Sequence, residues 1–173
     1  MFKFDKLVFG DLGWGDEFLF ATLMTVTVCI LSMGLGLCLA IITVWAKLIT
    51  NRITRFIATF YTTVVRGVPE LLVIYLIFFG GNSVLMSVAK LFGYNGYIEL
   101  NALTIGTIAI AFISATYSSE VIRAAYLAVN KGQVEAAKAL GLSRIQIFLR
   151  VMGPQIIRHA LPGIGNVLSL IHI

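Results

Sequence analysis

Charge is what this chain has least of. Asp, Glu, Lys and Arg supply 12% of its 173 residues, about half the quarter that is usual in a soluble domain. The shortage is concentrated: residues 18–46, 71–89 and 100–119 contain none of the four. A hydrocarbon layer about 30 Å thick is crossed by roughly 20 apolar residues of helix, so each of these runs can span a bilayer. The first run is longer than that. It reads as a retained helix rather than a secretory leader, whose apolar core is about 7–15 residues, and acidic Asp11, Asp16 and Glu17 precede it.

Cysteine is scarce too. Cys29 and Cys38 both lie in the first run, and two residues so placed on one helix cannot meet the geometry of a disulfide. They read as small buried hydrophobes. Repeats and low-complexity tracts are absent, and so is any soluble segment, leaving one membrane domain over residues 1–173. The HExxH, GxxxxGK[ST] and GxSxG patterns are missing as well. His159 and His172 stand without acidic or cysteine neighbours at metal-ligand spacing. No catalytic residue, metal or directly bound cofactor is therefore expected, and any ATP must be used by another subunit.

The net charge of +5 is a matter of orientation. Lys47, Arg52 and Arg55 form one acid-free cluster. Arg123, Lys131, Lys138, Arg144, Arg150 and Arg158 form another, with Glu135 as the one acid among them. The N-terminal stretch has Lys3 and Lys6 against four acids, and the loop near residue 90 has Lys90. The excess of positive charge on one side predicts an N-terminus outside, both basic segments in the cytoplasm, and lipid rather than nucleic acid as the partner.

Spans are expected at about 20–45, 57–79 and 100–121, with a fourth starting in 160–173: an all-α, polytopic bundle. Ser32, Gly36 and Ala40 in the first span, and Ala111, Ala115 and Ser119 in the third, repeat small residues every four positions. Such stripes let helix backbones approach closely, and packing within one subunit is the plainer explanation. The second span is ambiguous. It is either a helix from about 56 to 79 broken at Gly67 and Pro69, or a plain span at 71–89 with Arg66 and Glu70 at its end. Arg66, Pro69 and Glu70 are candidates for a pathway or gate, because ionisable residues in spans are functional by default; a structural pair at the membrane interface is the alternative. Residues 80–99, rich in Gly and Asn, read as an outside loop, and Glu120 with Arg123 as a local pair ending the third span.

Residues 130–154 are a charged stretch in a chain that is otherwise apolar. Asn130 can cap a short helix through Gln133, and Gly141 can end it in the left-handed conformation. Ser143 and Gln146 match a capping box for a second helix, which Gly153-Pro154 is expected to stop. Ala136, Ala137 and Ala139 give the first helix a smooth face, set among Glu135, Lys138 and Arg144. That pattern suits a helix seated in a groove of another protein. A helix lying on lipid is the alternative, but bulky apolar residues are few between 131 and 141.

Here the sequence resembles a family. Glu135-Ala136-Ala137, Gly141, Val151 and Pro154 are similar to the EAA loop of membrane subunits in binding-protein-dependent ABC importers. Val151 stands where isoleucine is usual, and Gly153 where leucine is. The string from Gly132 to Gly141, Arg66-Gly67-Val68-Pro69, and Ala160-Leu161-Pro162-Gly163-Ile164-Gly165-Asn166 resemble the polar amino-acid branch. Tyr61-Thr62-Thr63 looks most like the histidine, octopine and nopaline permeases. The resemblance implies the type I ABC importer fold in a bacterial inner membrane. It implies a pathway shared with a second permease subunit, two ABC ATPase subunits beneath, and a substrate-binding protein outside. Gly132, Glu135, Ala136, Ala137 and Gly141 would be the ATPase-coupling residues, and basic amino acids or opines the cargo. The same resemblance implies further spans after Asn166, so the chain reads as truncated by about two. An importer for another solute is the nearest alternative. An ion-coupled secondary transporter would predict internal repeats.

Overall fold

The computed structural model describes residues 9, 13–94, 96 and 101–170, and every regular element among them is helical. Lys3, Lys6, Asp11, Asn95 and His172 lie outside the described residues. Among the described residues, three helices are long and apolar enough to cross a membrane: α1 (Gly15–Leu48), α3 (Glu70–Leu91) and α4 (Ala102–Ala128). On the exposed side of α1, Thr22, Thr25 and Thr27 donate their hydroxyls to carbonyls four residues back, at 2.7–2.9 Å. Their polar atoms are thus satisfied inside the helix, as a lipid-facing segment requires.

α1 and α4 pack directly on one another through the two small-residue stripes. Ser32, Gly36 and Ala40 are buried, as are Ala111, Ala115 and Ser119. A Cβ at Gly36 would lie 2.1 Å from Ser114 Oγ and 3.1 Å from the Ala111 carbonyl oxygen. The Ser32 hydroxyl donates to the Thr107 carbonyl at 3.2 Å. The stripes therefore serve contact within this chain. Beside them the Ser118 hydroxyl is buried without a hydrogen-bond partner among the described residues. An unmet hydroxyl costs about 1–3 kcal/mol, so Ser118→Ala is expected to raise the unfolding midpoint in detergent by a few degrees.

Residues 57–79 are divided between two helices. α2 (Arg52–Gly67) ends before Val68 (φ −107°, ψ 142°) and Pro69 (φ −53°, ψ 129°), both extended, and α3 starts at Glu70. Proline pushes the residue before it out of the helical region and has no N–H to continue a helix. The Pro69 carbonyl instead accepts the first bonds of α3, from Leu72 and Val73. α2 buries Ala58, Thr62 and Val65 and exposes Phe56, Ile57 and Phe60. It is pinned to α4 by the Tyr61 hydroxyl, which donates to the Phe112 carbonyl at 2.6 Å. Val65, Val73 and Ile113 close a small core where α2, α3 and α4 meet.

Two sequence-based boundaries move. Gly80, Gly81 and Asn82 do not open a loop: α3 continues through them to Leu91 and turns at Gly93 (φ +82°). In a lipid setting the helix keeps every backbone group paired, which outweighs the weak preference of glycine for turns. Gly153-Pro154 does not stop a helix either. After α4 come α5 (Lys131–Ala139), α6 (Arg144–Ile147), a π-helical turn (Phe148–Met152) and α7 (Gly153–Leu170), the last three continuous. The Gly153 N–H reaches back five residues to the Phe148 carbonyl. This wider turn gives room to the ring of Pro154, which in an α-helix would strike the carbonyl four residues back. A Cβ at position 153 would sit 3.0 Å from that same Phe148 oxygen, so glycine suits the turn. α7 returns onto α4 with Ala160 and Val167 buried, and a Cβ at Gly163 would come within 2.6 Å of Val121 Cγ1.

Candidate functional site

The residues singled out by sequence fall in two places. The first is the pair of short helices after α4. Val129 and Asn130 are extended and turn the chain out of α4. The Asn130 side chain accepts from the Gly132 N–H at 2.8 Å, while its carbonyl accepts from Gln133 N–H at 3.2 Å. At the other end of α5, Gly141 takes φ +78°. Its N–H donates to the Lys138 carbonyl at 3.0 Å and that of Leu142 to Ala137 at 3.2 Å, the paired bonds of a Schellman end. The Ser143–Gln146 capping box forms in both directions, at 2.9 and 3.4 Å.

The loop is thus a helix, a left-handed corner and a second helix. Gly132, Glu135, Ala136 and Gly141 are exposed, whereas Ala137 is 5% exposed and faces its own chain. Ala137 therefore anchors the loop, and the other four are open to a partner. Two large apolar residues join them: Leu140 is 80% exposed and Ile145 is 72% exposed, one on each side of Gly141. Sequence reasoning dwelt on the alanines and passed over these. The signal for them was a leucine placed directly before a helix-ending glycine.

The second place lies between α2 and α4, where Thr59, Thr62, Thr63, Arg66, Gly67, Tyr117 and Glu120 line an open cleft of about 380 Å³. The Arg66 guanidinium stands 5.3 Å from the centre of the Tyr117 ring, a cation–π distance. Glu70, at the start of α3, also lies close enough to the Tyr117 phenol to act on it electrostatically. Arg66 and Glu70 thus meet on a shared tyrosine from α4, with Pro69 as the corner that separates them. Glu120 does more than pair locally with Arg123, to which it is bound at 2.9 Å. It also binds Lys47 of α1, whose side chain is 6% exposed, and the Lys47 ammonium donates to the Thr62 hydroxyl at 2.6 Å. One ammonium, that of Lys47, therefore ties α1, α2 and α4. By sequence Lys47 reads only as an orienting charge, since nothing local links positions 73 apart.

Comparison with known proteins gives a consistent result. Residues 32–172 match the family described as the binding-protein-dependent transport system inner membrane component. The chain is 48% identical over 162 residues to the nopaline transport system permease protein NocQ of Agrobacterium fabrum, covering 93% of this chain and 69% of that protein. It is 40% identical over 154 residues to the histidine/lysine/arginine/ornithine transport system permease protein HisQ of Escherichia coli, covering 89% and 67%. Among solved structures it resembles a crystal structure of an amino acid ABC transporter with histidines. The TM-score is 0.69 at 30% identity, covering 87% of this chain and 65% of that one. The chain thus spans about two thirds of the length of these relatives.

Proposed function

Because this chain belongs to the family of inner membrane components of binding-protein-dependent transport systems, we propose that it is a permease subunit of an ATP-driven importer of polar amino acids or opines. Basic amino acids and nopaline-like conjugates are the favoured cargo, in keeping with what the names of its relatives state. In this reading the N-terminus is outside, a second permease completes the pathway, and a binding protein delivers solute from outside. α5 is the coupling helix, seated in a groove of an ATPase subunit, with Gly132, Glu135, Ala136 and Gly141 at the contact and Ala137 holding the helix to its own bundle. Arg66 and Glu70 serve the pathway through Tyr117.

The observation that supports this most is the α5–α6 corner itself. Small side chains on a capped helix, beside exposed Leu140 and Ile145, form a rigid projection with an apolar tip. Helix-in-groove recognition needs such a shape. Gly141 is its most sensitive point. A β-branched residue at φ +78° is strained by about 1–2 kcal/mol, and the corner can relieve that only by changing shape. In the complete transporter, Gly141→Val is expected to lower substrate uptake about tenfold or more while its level in the membrane stays close to wild type. Gly141→Asn, which tolerates this conformation, should lose far less. Undiminished uptake by the valine variant, together with no ATPase cross-linked to α5, would overturn the reading.

A further inference from the structure

α5 is joined to the rest of the bundle by chain at both ends, yet both joints are corners: the extended pair Val129–Asn130 and the left-handed Gly141. A helix hung between two corners can swing without moving what lies behind it. Buried Ala137 seats α5 against its own chain, and a side-chain hydrogen bond adds a directional tie to the helix behind. Gln155, in the first turn of α7, donates from Nε2 to Gln133 Oε1 of α5 at 2.5 Å. The same nitrogen donates to the Val151 carbonyl of the π-helical turn at 2.7 Å. Two acceptors on one amide fix which way it points, so the group that reaches α5 is itself anchored to the π turn.

Behind Gln155 the connection is stiff. α6, the π turn and α7 run on without a break, and α7 meets α4 at the close approach of Gly163 to Val121. We infer that the Gln133–Gln155 clamp is the positioning contact by which a displacement of α5 is carried into α7 and so into the membrane helices. Gln133 and Gln155 touch no cargo; they act by keeping α5 and α7 one body. The inference rests on the coupling role given to α5 above.

The test uses the complete transporter, with its ATPase subunits and binding protein, in proteoliposomes. It measures ATP hydrolysed per arginine or nopaline imported. Gln155→Leu and Gln133→Leu are each expected to raise that ratio about fivefold, the factor that corresponds to losing one net hydrogen bond. The double variant should be no worse than either single one. The pair Gln133→Glu with Gln155→Lys, which replaces the hydrogen bond by an ion pair of similar reach, should restore the ratio to within about twofold. A merely structural role would lower the yield of transporter, and yield cancels from a ratio taken per ATP. Ratios unchanged in both single variants, or losses that simply add in the double variant, would overturn the inference while leaving the importer reading intact. Wild-type vesicles that import neither arginine nor nopaline would sink the importer reading, and this inference with it.

Discussion

Gly36→Leu is expected to remove the protein from the membrane fraction, whereas Gly34→Leu, two residues away, should leave it there. The contrast follows from what each position meets. A Cβ at Gly34 has nothing within 4 Å, whereas one at Gly36 lies 2.1 Å from Ser114 Oγ and 3.1 Å from the Ala111 carbonyl. The serine oxygen can swing aside; the carbonyl belongs to the α4 backbone and cannot. Leucine must therefore push α1 and α4 apart, and with them the Ser32–Thr107 hydrogen bond. Overpacking of this kind costs about 1–3 kcal/mol and occasionally more, and in a cell even 1–2 kcal/mol can change abundance several-fold. Quantitative immunoblotting of membrane fractions reads the outcome. Equal amounts of both variants would mean that α1 and α4 do not pack along their small-residue stripes.

The second large effect concerns Glu120, and it is asymmetric. Glu120→Leu leaves the Lys47 ammonium, on a side chain 6% exposed, with the Thr62 hydroxyl as its remaining described partner. Breaking a buried pair from one side costs about 3–5 kcal/mol, because an uncompensated charge stays behind. Lys47→Met is expected to cost clearly less, since Glu120 keeps Arg123 at 2.9 Å. The double variant Lys47→Met with Glu120→Leu should recover most of the loss, as replacing both partners by apolar groups often does. Thermal unfolding in detergent orders the three variants. A Lys47→Met protein less stable than the Glu120→Leu protein would contradict the arrangement.

Much of this architecture could be read from the sequence where the signal is local. The charge-free runs 18–46 and 100–119 lie within α1 and around α4, because exclusion of charge from hydrocarbon acts residue by residue. Gly141 and the Ser143–Gln146 box act as the sequence suggests, and Asn130 caps α5 as expected but with its side chain on Gly132 rather than Gln133, since a cap is decided by atoms two or three residues away. The segment 57–79 resisted because two readings of Gly67-Val68-Pro69 were open, and only the packing of α2 across α4 through Tyr61 and Phe112 separates them. The Gly153-Pro154 stop failed for a related reason. Proline disfavours a regular α-helix, but a π turn is one way to accommodate it, and no local spacing announces one. At the cleft, Arg66 and Glu70 were legible as ionisable residues near a span, but Tyr117 and Lys47 were not. Both act across the fold, 51 and 73 residues from their partners Arg66 and Glu120. The usable hint for Lys47 was a lysine closing one apolar run and a glutamate closing another.

The self-contained hydrogen bonding of residues 130–146 has a consequence for how often this segment can be used. Each of its helix ends is closed by its own caps, so its outline does not depend on being touched. Recognition elements that must fold upon contact lose conformational entropy at every encounter. A stretch with a fixed outline gives up little of it, so under the proposed coupling role it could engage and release a neighbour repeatedly without losing its form.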